Sequence, residues 1–98
     1  MPTYIALVDY TEEGIEHMKD SPERLEQVND LVRSMGGEPI AFYLTMGRFD
    51  AVYLFSAPDD ATATRGVITT AMEGSVRTET LRAFDEDEYR EIVDQLPG

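Results

Sequence analysis

Cysteine is absent from this sequence, which excludes disulfides and thiolate metal sites and leaves no redox signature of its compartment. No apolar run approaches the ~20 residues a membrane helix requires. Met1-Pro2-Thr3-Tyr4 passes directly into a strand-like pattern, without the basic and apolar regions of a signal peptide, so the expected location is cytoplasmic. Glycines are scattered rather than gathered into a phosphate-binding loop after a strand. With His17 the only histidine, no Ser/His/Asp or Cys/His nucleophile can be assembled, and no motif calls for a cofactor.

Positive charge is scarce as well. Eight Lys and Arg face twenty Asp and Glu, for a formal net charge of −12, and Lys19 is the only lysine. A surface this negative repels phosphate backbones, which argues against nucleic-acid binding. Two readings of the acidity remain: recruitment of a basic partner, or adaptation to a salt-rich cytoplasm where self-repulsion is screened. The acids are spread along the chain rather than blocked together, which favours the halophilic reading. Folding is then expected to depend on salt, because the Debye length falls from ~10 Å at 0.1 M to ~3 Å at 1 M. The melting temperature should rise between dilute buffer and molar potassium chloride; a flat or falling trend contradicts the reading.

What the chain does hold is one domain of patterned sequence, residues 1–98, with 42% hydrophobic content. A chain of this size buries only ~60–70% of its unfolded surface, so association would help it. Pro2 to Tyr10 predicts a central strand that is apolar on both faces, Ile5 and Leu7 on one and Tyr4, Ala6, Val8 and Tyr10 on the other. Thr11-Glu12-Glu13 predicts a capped helix to about Met18. Ser21-Pro22 opens a second helix, with serine as cap, carrying Leu25, Val28, Val32 and Met35 and ending at Gly36-Gly37. Ile40 to Met46 and Asp50 to Ala57 predict a hairpin about Gly47-Arg48, with Ile40, Phe42, Leu44 and Met46 on one face of its first strand.

Asp59-Asp60 caps a helix from about Ala61 to Glu73, with Ala63, Val67, Ala71 and Met72 inward and Gly66 a point of close packing or fraying. Val76 to Phe84 is polar enough for an edge strand. Asp85 with Glu88 makes a capping box for a last helix with the stripe Tyr89, Ile92, Val93 and Leu96. The order predicts an α+β, ferredoxin-like βαββαβ fold: a four-stranded antiparallel sheet, two crossover helices on one face, and an extra C-terminal helix.

Few residues suggest chemistry. His17 and Glu13, one helical turn apart, are better read as a solvated helix face than as a metal pair. The run Asp85-Glu86-Asp87-Glu88 is better explained by capping than by cation binding. Tyr43 and Tyr53 lie within apolar strands, where a hydroxyl needs a partner; packing and a lined pocket are the two accounts. Arg82 shares its face with Thr78 and Thr80 and needs an anion, either a protein carboxylate or a ligand. If a ligand is bound, the expected site draws on Tyr43, Asp50 and Arg82.

Pro2-Thr3-Tyr4-Ile5, Lys19-Asp20-Ser21-Pro22, Ala41 through Gly47, Ala57-Pro58-Asp59-Asp60 and Ser75 through Phe84 together resemble the GYD domain family over nearly the whole chain. The namesake Gly-x-Tyr-Asp element corresponds to Gly47-Arg48-Phe49-Asp50, where Phe49 stands in place of the tyrosine. The resemblance implies a dimeric α/β-barrel type of domain without an established activity. The pattern is also similar to the small-molecule-binding domain of Lrp/AsnC-type regulators, through its Gly-x-x-Asp turn and the strand Val76-x-Thr78-x-Thr80.

Three functions follow as expectations: a homo-oligomeric module binding a small metabolite, a cofactor-independent monooxygenase or isomerase such as similar barrels host, or a structural or partner-binding protein. Strands apolar on both faces predict a homodimer in which two sheets meet. The competing arrangement folds the last helix back over the open sheet face.

Overall fold

The computed structural model describes residues 1–98. The elements are β1 (Thr3–Tyr10), α1 (Glu12–Glu16), a 3-10 turn (Met18–Asp20), α2 (Ser21–Ser34), β2 (Glu38–Leu44), β3 (Ala51–Ser56), α3 (Asp60–Met72), β4 (Val76–Ala83) and α4 (Glu86–Asp94). All strand pairs are antiparallel, in the order β2-β3-β1-β4. This is the ferredoxin-like α+β arrangement with an extra C-terminal helix, β1 and β3 central and β2 and β4 at the edges. No helix is long and apolar enough to cross a membrane.

Side chains opposite one another on paired strands share a face. Register therefore puts Tyr4, Ala6, Val8, Ala51, Tyr53 and Phe55 together, and these are buried against Val32 of α2 and Ala63 of α3. Ile5, Leu7, Val52 and Leu54 lie on the opposite face, half-buried by one another. The face assignment of β1 read from alternation thus holds, and β3 alternates in the same way.

Four local expectations are corrected. Residues 11–18 do not form one helix: α1 stops at Glu16, and the 3-10 turn leads into α2. Ser21 is the first residue of α2 rather than its cap; Asp20 holds that position without a side-chain bond. β2 runs Glu38–Leu44, and a bulge between Pro39 and Ala41 takes Ile40 out of register, since two residues there oppose one on β3. Met46 lies beyond the strand, 97% exposed. In α3 the inward residues are Thr62, Ala63 and Gly66, flanked by Val67 and Thr70, while Ala71 and Met72 face solvent. Gly66 settles this rotation: a Cβ there would stand 2.6 Å from Met35 Cε, so α3 turns its bare glycine to α2.

Caps follow the sequence elsewhere. Thr11 accepts from Gly14 N–H, Asp59 from Thr62 N–H, and Asp85 with Glu88 forms the full capping box.

Two tyrosines are locked into the core. Tyr4 stacks on Phe55, 5.3 Å between ring centres, and its hydroxyl donates to Asp60 Oδ1 at 2.5 Å. Tyr53 donates to Asn29 Oδ1 at 2.8 Å. Burial above all, helped at Tyr4 by the Asp60 carboxylate, pushes both phenols up to about 12. A folded value above the ~10 of an unfolded chain means their contribution to stability is intact below about pH 10 and is lost as pH rises through 12. Ultraviolet titration should find two of the five tyrosines ionising only with alkaline unfolding. Ionisation of all five near pH 10, with far-ultraviolet dichroism unchanged, contradicts this.

Candidate functional site

The core contains no large side chain that is fully buried. Its aromatic residues, Tyr4, Tyr53 and Phe55, sit toward the start of β1, where they stack. Toward the end of β1 the cross-strand row is Leu44, Ala51, Val8 and Thr78, with Tyr10 beside Val76. Small residues there cannot fill the space under α2 and α3. The result is a hollow of about 330 Å³ between helices and sheet, walled by Leu25, Val28, Leu31, Val67, Phe42 and Val76 among others. Met18 and Met35 complete the wall with flexible thioethers.

Polar groups are few. Arg24 lies at the rim, its Nη1 donating to His17 O at 2.9 Å and its Nη2 to Gly14 O at 3.4 Å. Tyr10 also lines the hollow, and burial raises its hydroxyl pKa, opposed by the nearby Arg24 cation and aided by Asp50. Thr70 is committed to its own helix, donating to Gly66 O at 3.0 Å. Tyrosines pushed away from neutrality act here as hydrogen-bonding groups rather than proton carriers.

The residues singled out from sequence occupy three separate places. Tyr43 pairs with Val52, which puts it on the face away from the helices, 61% exposed. Arg82 pairs with Tyr4 on the helix side of the opposite edge strand. Its guanidinium lies 4.4 Å from the Phe84 ring centre and 5.9 Å from that of Tyr4, donates to Ala83 O, and meets Glu88 of α4 at 3.7 Å. The anion it meets is thus a protein carboxylate. Asp50 closes the β2–β3 loop, in which Gly47 takes a φ of +118°. Its N–H donates to Val8 O at 2.9 Å, and its Oδ2 accepts from Tyr10 N–H at 3.0 Å. The carboxylate therefore extends the β1 ladder beyond the first residue of β3, a bond to the neighbouring strand rather than to turn amides.

Arg24 escaped the sequence reading. The signal was present: Arg24, Val28, Leu31 and Met35 follow helical spacing, which aligns the arginine with an inward stripe. His17 spends its Nδ1 on Glu13 O, 3.0 Å away.

Two apolar surfaces remain bare. On the open sheet face Ile5, Leu7, Val52 and Leu54 are flanked by Tyr43 and by Leu81, which is 44% exposed. The last helix does not fold over them. No residue of α4 is buried, and Tyr89, Ile92, Val93 and Leu96 keep 44–62% of their surface. The radius of gyration, 14.9 Å, exceeds the ~13 Å of a compact domain of this length, and the longest dimension is 54 Å.

Compared with known proteins, residues 4–93 match the sequence profile of the GYD domain. A relative from Thermus thermophilus, named glutamine synthetase and cystathionine beta-lyase binding protein, is 40% identical over 85 residues, 86% of this chain and 90% of the relative. The crystal structure of TTHA0845, also from Thermus thermophilus, matches with a TM-score of 0.54 and 22% identity, over 87% of this chain and 95% of that one. That last likeness is one of fold.

Proposed function

This chain belongs to the GYD domain family, and on that premise we propose that it is a homo-oligomeric protein-binding module whose partners are metabolic enzymes. The observation that carries the reading is the Thermus relative, named for binding glutamine synthetase and cystathionine beta-lyase and similar to this chain over most of both lengths. The bare surfaces support it. A soluble domain seldom leaves both a sheet face and an amphipathic helix without cover unless something docks on them.

The two surfaces suit two tasks. The sheet face is broad and apolar across three strands, with Arg77 and Glu79 on β4 supplying a polar margin of both signs. Such a face suits a second copy of itself. The α4 stripe is narrow and rimmed by Glu86, Asp87, Glu91 and Asp94, which suits a groove with basic edges on another protein. Tyr43, exposed beside Val52, belongs to the first surface and Arg82, joined to Glu88, braces the second.

Calorimetric titration of the organism's own purified glutamine synthetase and cystathionine β-lyase with the chain tests the reading. Saturable heat with at least one of them is expected. No heat from either at micromolar concentrations overturns it.

A further inference from the structure

The hollow beneath α2 and α3 is used by none of the surfaces above, and its chemistry points to a ligand of a definite kind. At about 330 Å³ it falls within the range of ~300–1,000 Å³ usual for small-molecule sites. Its walls are mostly aliphatic and aromatic, with Glu73 the one carboxylate, so a charged molecule entering it would lose hydration with little compensation, an anion above all. The one cation at the rim, Arg24, already donates to two main-chain carbonyls and stands among Glu13, Asp20 and Glu23. With a net charge of −12 on the whole chain, an anion is disfavoured from the approach onward.

One donor remains. Tyr10 reaches the hollow from the end of β1; its N–H is held by Asp50, while its hydroxyl donates to no protein group. A phenol facing an apolar space is matched by a hydrogen-bond acceptor on an otherwise apolar guest. Met18 and Met35 let the wall adjust to the guest's outline, and Met35 sits directly over the gap left by Gly66.

We propose that this hollow binds a neutral, largely apolar small molecule, of the size and class of an aryl ketone, whose acceptor oxygen is received by the Tyr10 hydroxyl. The proposal does not depend on the protein partners, and its test involves none of them.

The probe is 6-propionyl-2-dimethylaminonaphthalene, a neutral ketone whose emission shifts to the blue on leaving water. Titrated into the intact chain it should show a saturable blue shift at one probe per chain. Val67→Phe and Val28→Phe, each filling the hollow, should weaken binding about tenfold or more, with dichroism confirming the fold. Tyr10→Phe should weaken it about fivefold, the loss of one neutral hydrogen bond. Thr69→Ala, on the solvent side of α3, should leave it unchanged. In competition, 2-acetylnaphthalene should displace the probe at lower concentration than 2-naphthoate. An unsaturable signal, parent-like binding by both filling variants, or a loss with Thr69→Ala alone overturns the site. Equal competition by the carboxylate, or an unaffected Tyr10→Phe, overturns the assigned ligand class.

Discussion

Gly37→Ala is expected to lower the melting temperature by roughly 10–20 °C, corresponding to about 3 kcal/mol in a domain of this size. A Cβ at Gly37 would lie 2.1 Å from Ser56 O and 3.2 Å from Val32 Cγ1. Neither can yield easily. Ser56 is buried on β3, and Val32 is 4% exposed in the core, with its carbonyl accepting from Gly37 N–H. The position is where α2 hands over to β2, so a shift there moves the roof of the hollow against the sheet. Gly14→Ala meets the same obstacle, 2.1 Å from Ser75 O. Gly66→Ala provides the contrast: its Cβ would meet only the end of the Met35 side chain, which can move, and alanine favours a helix over glycine by about 1 kcal/mol. Thermal melts should rank Gly66→Ala near or above the parent and Gly37→Ala far below it. A Gly37→Ala protein melting within about 3 °C of the parent contradicts the account of the α2–β2 junction.

The second large effect is on binding rather than folding. Ile92→Asp combined with Val93→Asp should weaken the titrated enzyme about thirtyfold or more, the order expected when central apolar contacts of an interface are lost. The melting temperature should move by no more than about 2 °C, since no residue of α4 is buried and the helix keeps its Asp85–Glu88 capping box. Glu91→Gln serves as the control on the same helix, altering charge at the rim without touching the stripe. Unchanged affinity in the double variant would move the partner surface off α4.

Much of the fold could be read before any coordinates. Alternation in β1 named its two faces, because a period of two is the strongest local signal a half-buried strand can give. Asp59, Asp85 and Gly47 announced two helix starts and a turn because each has local chemistry that few other residues supply. The bulge at Pro39–Ala41 was not legible, since it depends on how β2 meets β3, and Ile40 looks like any other strand residue. The inward face of α3 was legible only in part: Ala63 and Val67 do face the core, but Ala71 and Met72 do not, because alanine and threonine give little contrast between sides.

The candidate site was less legible still, for a physical reason. The hollow exists because Ala6 and Gly66, from elements distant in sequence, both line it where larger residues would have narrowed it. A missing side chain leaves no motif. Tyr43, Asp50 and Arg82 drew notice by contrast with their neighbours. In the single chain the first lies on the open face, while the others are engaged by Tyr10 N–H and by Glu88.

The central claim is that surfaces this fold leaves bare are binding surfaces, beginning with the open sheet face and a second copy of the chain. Light scattering during gel filtration in high salt tests it most directly. For a chain of 11.0 kDa the account predicts a parent mass of about 22 kDa, twice that value, or a higher multiple. Leu54→Asp, which puts a charge in the centre of the open face, should fall to 11.0 kDa while remaining folded. A parent that elutes at 11.0 kDa at micromolar concentration contradicts the claim.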